Sequence, residues 1–158
     1  MSEPKHEHEY EHCHEHKNEY GHEDEHAHEN DHDHSLDPAI FSETYEFLLM
    51  KESSTLPVQE ALVHWIEEIL KWVSNNEGFV GHIKVFIEGT ENLWLSSTGK
   101  AINMNPSAGW SEAKLKKVTI NATAIIFGTT KVILDGYARQ CFEDCVEKEY
   151  PVSTLVKR

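Results

Sequence analysis

The first 34 residues contain no Val, Ile, Leu, Phe or Trp. A chain that cannot bury apolar surface cannot offset the entropy lost on ordering, so this stretch is predicted to be disordered unless something binds it. Long hydrophobic runs are missing elsewhere too, and none approaches the roughly 18 residues a membrane span needs. The polar N-terminus also lacks the apolar stretch of a secretory signal. A soluble, cytoplasmic protein without a membrane partner is therefore expected. Only three cysteines occur in 158 residues, too few and too odd in number for a disulfide framework, which agrees with a reducing compartment. Cations are scarce as well: 14 Lys and Arg face 28 Asp and Glu, for a net charge of −14. They form no stripe, and phosphate neutralisation needs clustered cations, so no nucleic-acid partner is expected.

What the first segment does contain is histidine. Residues 1–34 hold 10 of the 12 His, 12 of the 28 acids and 2 of the 14 bases, a net charge of −10. The imidazoles are His6, His8, His12, His14, His16, His22, His26, His28, His32 and His34, with Glu or Asp in nearly every gap. Imidazole suits Zn, Ni, Co and Cu, and a flexible chain of closely spaced imidazoles can wrap several such ions. Cys13, between His12 and His14, adds a soft thiolate, so residues 12–16 are predicted to be the tightest tail site. A purification tag is an uninterrupted His run, whereas here no two histidines are adjacent. An acidic solubilising tail would need the carboxylates but not ten imidazoles. Zinc-finger spacing is absent, so no single structural site is implied.

The remaining 124 residues carry only −4 and must supply the whole core. Ser35 to Pro38 reads as the turn that opens the fold. Residues 43–50 are an apolar-aromatic run that suits a strand or a short helix. From Pro57 to Val73, the residues Val58, Ala61, Leu62, Trp65, Ile66, Ile69, Trp72 and Val73 recur at three and four, predicting an amphipathic helix that Asn75, Asn76 and Gly78 stop. Residues 79–88 alternate, with Phe79, Gly81, Ile83, Val85 and Ile87 on the predicted core face. A tight turn at 89–92 leads to a strand over Leu93–Ser97. Residues 99–113 read as the longest irregular segment and the best candidate for a mobile loop. Residues 117–127 form a strand. Thr129 or Thr130 then caps a helix running to about Lys148, with Ile133, Leu134, Tyr137, Ala138, Cys141, Phe142 and Cys145 on its buried side. The chain thus divides into a disordered His/Glu-rich metal-binding tail, 1–35, and an α+β domain, 36–158, predicted to be a two-layer sandwich of an antiparallel sheet and two helices.

Within that domain the chemical signals are sparse. Cys141 and Cys145 are spaced i, i+4, which puts two thiols one turn apart on one helix face and could serve one metal ion. They also fall in the apolar stripe, where free Cys commonly acts as a small hydrophobe. The ligand reading gains weight if His64, His82 or the tail approaches them. His64 falls on a charged helix face with Glu60, Glu67, Glu68 and Lys71, which reads first as a solvated surface. His82 points away from the predicted core face. No Ser, His or Cys arrangement spells nucleophilic catalysis, and the protein is not expected to be an enzyme. Ser97-Thr98-Gly99-Lys100-Ala101 imitates a phosphate loop but fails twice, with Trp94 where the first glycine belongs and Ala101 in place of the magnesium-binding hydroxyl.

A His-rich acidic stretch, then Gly81-His82-Ile83-Lys84-Val85-Phe86-Ile87, Leu93-Trp94-Leu95-Ser96, Ile120-Asn121-Ala122 and Phe127-Gly128 resembles the C-terminal part of CobW-type GTP-binding metallochaperones, which are linked to cobalamin metabolism. The resemblance covers about residues 79–146 and the style of the tail. In that family a GTPase domain carries the phosphate loop and a Cys-x-Cys-Cys metal motif, and neither motif occurs here. The resemblance implies metal or cofactor handling without GTP hydrolysis, and no catalytic residue carries over. The expectation is a metal-binding accessory protein, a metallochaperone or store for divalent Zn, Ni or Co, with a GTPase or corrinoid-related protein as partner. The competing expectation is a non-catalytic interaction or regulatory module that buffers metal incidentally.

Overall fold

The computed structural model describes residues 37–148 and the strand Val152–Lys157. The predicted disordered tail lies outside the described residues. Strand β1 spans Ala39–Ser54, helix α1 Leu56–Asn75, β2 Phe79–Glu88, β3 Asn92–Ser97, β4 Ile102–Pro106, β5 Lys114–Phe127, α2 Lys131–Phe142 and β6 Val152–Lys157. The six strands form one antiparallel sheet in the order β4-β3-β2-β5-β1-β6. β1 and β2 both pair antiparallel with β5 and so run parallel to each other, bridged by α1. β5 and β6 are related in the same way across β1, with α2 in their connection. Two interlocked split β-α-β units result, the ferredoxin-like connectivity, extended at one edge by β3 and β4. This is the predicted α+β class.

One sheet face carries the core. Phe41, Tyr45, Phe47, Ile83, Val85, Ile87, Leu93, Leu95, Val118, Ile120, Ala122 and Ala124 pack against Leu62, Trp65, Ile66 and Ile69 of α1 and Leu134, Ala138 and Phe142 of α2. Alternation in β1, β2, β3 and β5 gives the sheet a buried and an open side. On the open side Phe86 stacks on Trp94 at 3.9 Å, while Thr44 donates to the Asn121 side chain at 2.7 Å.

One open alternative is decided and three local expectations are corrected. β1 is a long strand, so the helical alternative for 43–50 falls away; pairing with β5 on one side and β6 on the other overrides its Ser- and Glu-rich flanks. In β2 the register shifts between Val80 and His82. This bulge reverses the face of Phe79, which is 60% exposed and stacks on Phe127 instead of entering the core. Residues 99–113 are not one irregular loop. They contain β4 and a 3₁₀ turn, Trp110–Glu112, pinned because Thr55 Oγ1 donates to the buried Trp110 carbonyl at 2.8 Å and Trp110 Nε1 to Gln59 Oε1 at 2.9 Å. Ile133 is 56% exposed, since the buried stripe of α2 starts at Leu134. The imitation phosphate loop is the β3–β4 turn, with Gly99 at φ +107° and its N–H donating to Ser97 Oγ.

Helix α1 ends as the sequence requires. Glu77 takes a left-handed φ of 58°, and the Gly78 N–H closes on the Val73 carbonyl at 3.0 Å, the six-to-one bond that satisfies a terminal carbonyl. A Cβ on Gly78 would stand 2.7 Å from the Phe127 carbonyl oxygen, so glycine lets the α1–β2 turn press against the end of β5.

Candidate metal centre

None of the eleven expected ligands, His6, His8, His12, Cys13, His14, His16, His22, His26, His28, His32 and His34, falls among the described residues. The chemistry that the described residues gather lies between the two helices. Helix α2 is capped where Thr130 Oγ1 accepts from the Ile133 N–H. It passes at Phe142 into a π-helical turn, Glu143–Glu147, closed by the Lys148 N–H on the Glu143 carbonyl at 3.2 Å. Such turns are rare and frequently sit at functional sites. Cys141 stands at the end of the α-helical part and Cys145 inside the π turn, and their sulfurs are 3.8 Å apart.

Each of these free cysteines is 8% exposed, and that remaining surface opens into a shallow cleft of about 200 Å³ lined also by His64, Glu68, Tyr137, Gln140 and Asp144. His64 and Glu68 come from α1 at i, i+4, and so share a face of that helix. His64 is 58% exposed and approaches Glu67 at 3.8 Å. Tyr137 stacks on Trp72 at 4.5 Å and donates its hydroxyl to the Glu68 carbonyl at 3.4 Å, which ties α1 to α2 beside the cleft. Asp144 is engaged by Lys148 and accepts from Gln140.

The electrostatics keep both thiols protonated. Burial pushes Cys141 well above the ordinary thiol value, and Cys145, Glu68 and Asp144 push it the same way. Cys145 is raised chiefly by burial, with Glu68 and Asp144 adding and its contact with Cys141 opposing. Thiols of this kind are poor nucleophiles, whereas a divalent cation would find two sulfurs and nearby carboxylates of the sign it needs. Among the described residues, no three His, Cys, Asp or Glu side chains already stand at coordinating distance.

The spacing reading that places the two thiols on one face agrees with their 3.8 Å separation. Of the three approaches it weighed, His64, His82 and the tail, His64 lines the same cleft while staying 58% exposed as a solvated helix face should. Glu68 and Asp144 were missed as neighbours of the pair. The i, i+4 spacing of His64 and Glu68 was the available signal, mirroring the spacing of the cysteines. His82 takes no part: it does not line this cleft, and its Nε2 is shielded without a hydrogen-bond partner among the described residues. No described helix is long and apolar enough to cross a membrane. No family model, curated protein or solved structure matches this chain.

Proposed function

We propose that this chain is a cytoplasmic metal-binding accessory protein, a metallochaperone or store for divalent transition ions such as Zn, Ni or Co. The observation that carries the reading is residues 1–34, where ten imidazoles and one thiol alternate with twelve carboxylates. Imidazole and thiolate select borderline and soft ions, and the carboxylates fill remaining positions and offset the ions' charge. The resemblance of residues 79–146 to CobW-type proteins supports a link to cobalamin or corrinoid metabolism, with a GTPase or a corrinoid-related protein as partner. In this reading the chain carries ions and does not transform a substrate.

The test is isothermal titration of Zn, Ni and Co into the full chain and into a full-length variant whose ten tail histidines are Gln and whose Cys13 is Ser. Most of the metal capacity should be lost in the variant. Retention of the full complement would overturn the reading.

A second reading, a partner-docking module that buffers metal incidentally, draws support from the open sheet side, where Trp94 is 52% exposed and Ile40 and Leu48 are each 47% exposed. A metal-delivery defect in cells carrying the tail variant, with partner binding intact, favours the metallochaperone. Unaltered delivery favours the module.

A further inference from the structure

We propose that the folded domain carries its own metal site, distinct from the tail, in which the i, i+4 pair Cys141 and Cys145 and the facing i, i+4 pair His64 and Glu68 hold one thiophilic divalent ion, Zn²⁺ foremost. This goes beyond the tail reading and does not rest on it.

The sulfur spacing comes first. Two thiolates bound at about 2.3 Å to one tetrahedral ion are separated by about 3.8 Å, and the sulfurs of Cys141 and Cys145 stand 3.8 Å apart. Two packed hydrophobes could show the same spacing, so the surroundings decide. A pair used only for packing faces apolar side chains. This pair belongs to the hydrophobic core cluster, and its small exposed edge also borders a cleft whose other lining groups are His64, Glu68, Asp144, Gln140 and Tyr137. A second hollow, lined by Pro57, Glu60 and Ala61, also has both His64 and Cys145 in its lining, so the imidazole and this thiol border two hollows in common.

The donor set then fits one class of ion. Two sulfurs, an imidazole and a carboxylate make four ligands of the kind found in tetrahedral zinc sites, whereas Mg²⁺ and Ca²⁺ call for oxygen cages. Of the two carboxylates, Asp144 is already engaged by Lys148 and Gln140, which leaves Glu68 on α1, one turn from His64. The sulfurs are in place, and since no third donor among the described residues stands at coordinating distance, binding requires side-chain rotation of both Glu68 and His64, the latter 58% exposed with room to turn. As the two sulfur–metal bonds form, each thiol releases its proton to solvent, so the dication is met by two thiolates and one carboxylate. The π turn has a role here, because it sets the phase of Cys145 relative to Cys141 across the α-to-π junction.

The experiment titrates Co²⁺ into the full chain carrying Cys13→Ser, so that any sulfur signal arises from the domain. Tail imidazoles bind cobalt without a sulfur charge-transfer band, so total uptake and that band report the two sites separately. A near-ultraviolet thiolate-to-cobalt band that saturates at one ion and disappears in Cys141→Ser/Cys145→Ser is expected. His64→Ala and Glu68→Gln should keep the band, alter the visible d–d spectrum and weaken cobalt at this site by at least about tenfold. No band at saturating cobalt, a band that survives the double substitution, or unchanged spectra and affinity in both α1 variants would each overturn the proposal. Should the double variant not fold, alkylation of the Cys13→Ser chain with and without Zn²⁺, mapped to Cys141 and Cys145, decides: protection by zinc supports the site, and equal labelling overturns it.

Discussion

Trp65 Nε1 donates to the Ala138 carbonyl oxygen at 3.0 Å inside the core. The bond fastens α1 to α2 while the indole packs against Phe41 and meets Phe142 edge-on, with centroids 6.0 and 6.1 Å away. A buried indole N–H needs such a partner, and meeting it fixes the rotation of α1 about its axis. With Trp65 turned inward, His64 and Glu68 are carried to the seam that faces the α2 cysteines. The contact that stabilises the helix layer therefore also positions the candidate ligands.

Replacing Trp65 by Phe removes that hydrogen bond and part of the ring, and should cost about 1–3 kcal/mol. Trp65→Ala leaves a cavity beside Phe41 and Phe142 and should cost about 3–5 kcal/mol. Chemical denaturation of both variants gives the comparison. A loss under about half a kcal/mol for Trp65→Ala would show that the helices are not joined there.

Tyr45 stacks on Phe142 with ring centroids 3.8 Å apart, and its buried hydroxyl makes no hydrogen bond of ordinary geometry among the described residues, with the Glu43 side chain close by. Burial pushes this phenol far above its ordinary value, with Glu43 and Glu147 adding and Arg139 opposing. Below about pH 10 both the folded and the unfolded chain hold the proton, and Tyr45 gives no pH dependence. Above it the unfolded chain releases the proton and the folded chain keeps it, so stability falls as pH rises. Tyr45→Phe should flatten that alkaline fall and leave neutral-pH stability unchanged or raised by up to about 1 kcal/mol. Thermal unfolding followed from about pH 8 to 11 reads both effects, and an equal alkaline loss in the two proteins would contradict the assignment.

Glu77 holds a left-handed φ of 58° at the end of α1, a conformation that costs an L-residue about 1–2 kcal/mol relative to the right-handed form. Glycine avoids that cost and loses part of the gain to its larger unfolded-state freedom. Glu77→Gly should therefore stabilise the domain by up to about 1 kcal/mol. Glu77→Val, branched at Cβ, should destabilise it. A midpoint shift in the reverse order would mean that the turn is not held left-handed in solution.

How far the fold was legible follows the range over which each signal acts. The 3.6-residue period of α1 is local and strong, and Trp65, Ile66 and Ile69 are buried as it predicts. The alternation Ile83-x-Val85-x-Ile87 is equally direct. Phe79 failed because a bulge at Gly81 depends on pairing with β5, which no local pattern states. Trp110 was hidden for a similar reason: its neighbours Ser107, Gly109 and Ser111 read as loop, while its partners Thr55 and Gln59 are more than 50 residues distant. At the candidate centre the thiol pair was visible in the spacing. What faces it depends on how α1 is rotated, and that is set by the contact of Trp65 with Ala138.

Metal held by the tail should be released through the histidine titration range. Imidazole coordinates only when neutral, and its ordinary pKa is about 6.5. The twelve interleaved carboxylates of residues 1–34 stabilise the protonated, cationic form and make protons stronger competitors. Zn, Ni or Co should therefore be retained above that range and lost below it, with net proton uptake as the ion leaves. Lowering the pH from about 7.5 to 5.5 should free most of the tail-bound metal. Equilibrium dialysis across that interval, with proton uptake read from the buffer dependence of titration heats, measures both quantities. Undiminished binding at the acid end, or release without proton uptake, would show that imidazoles are not the principal ligands.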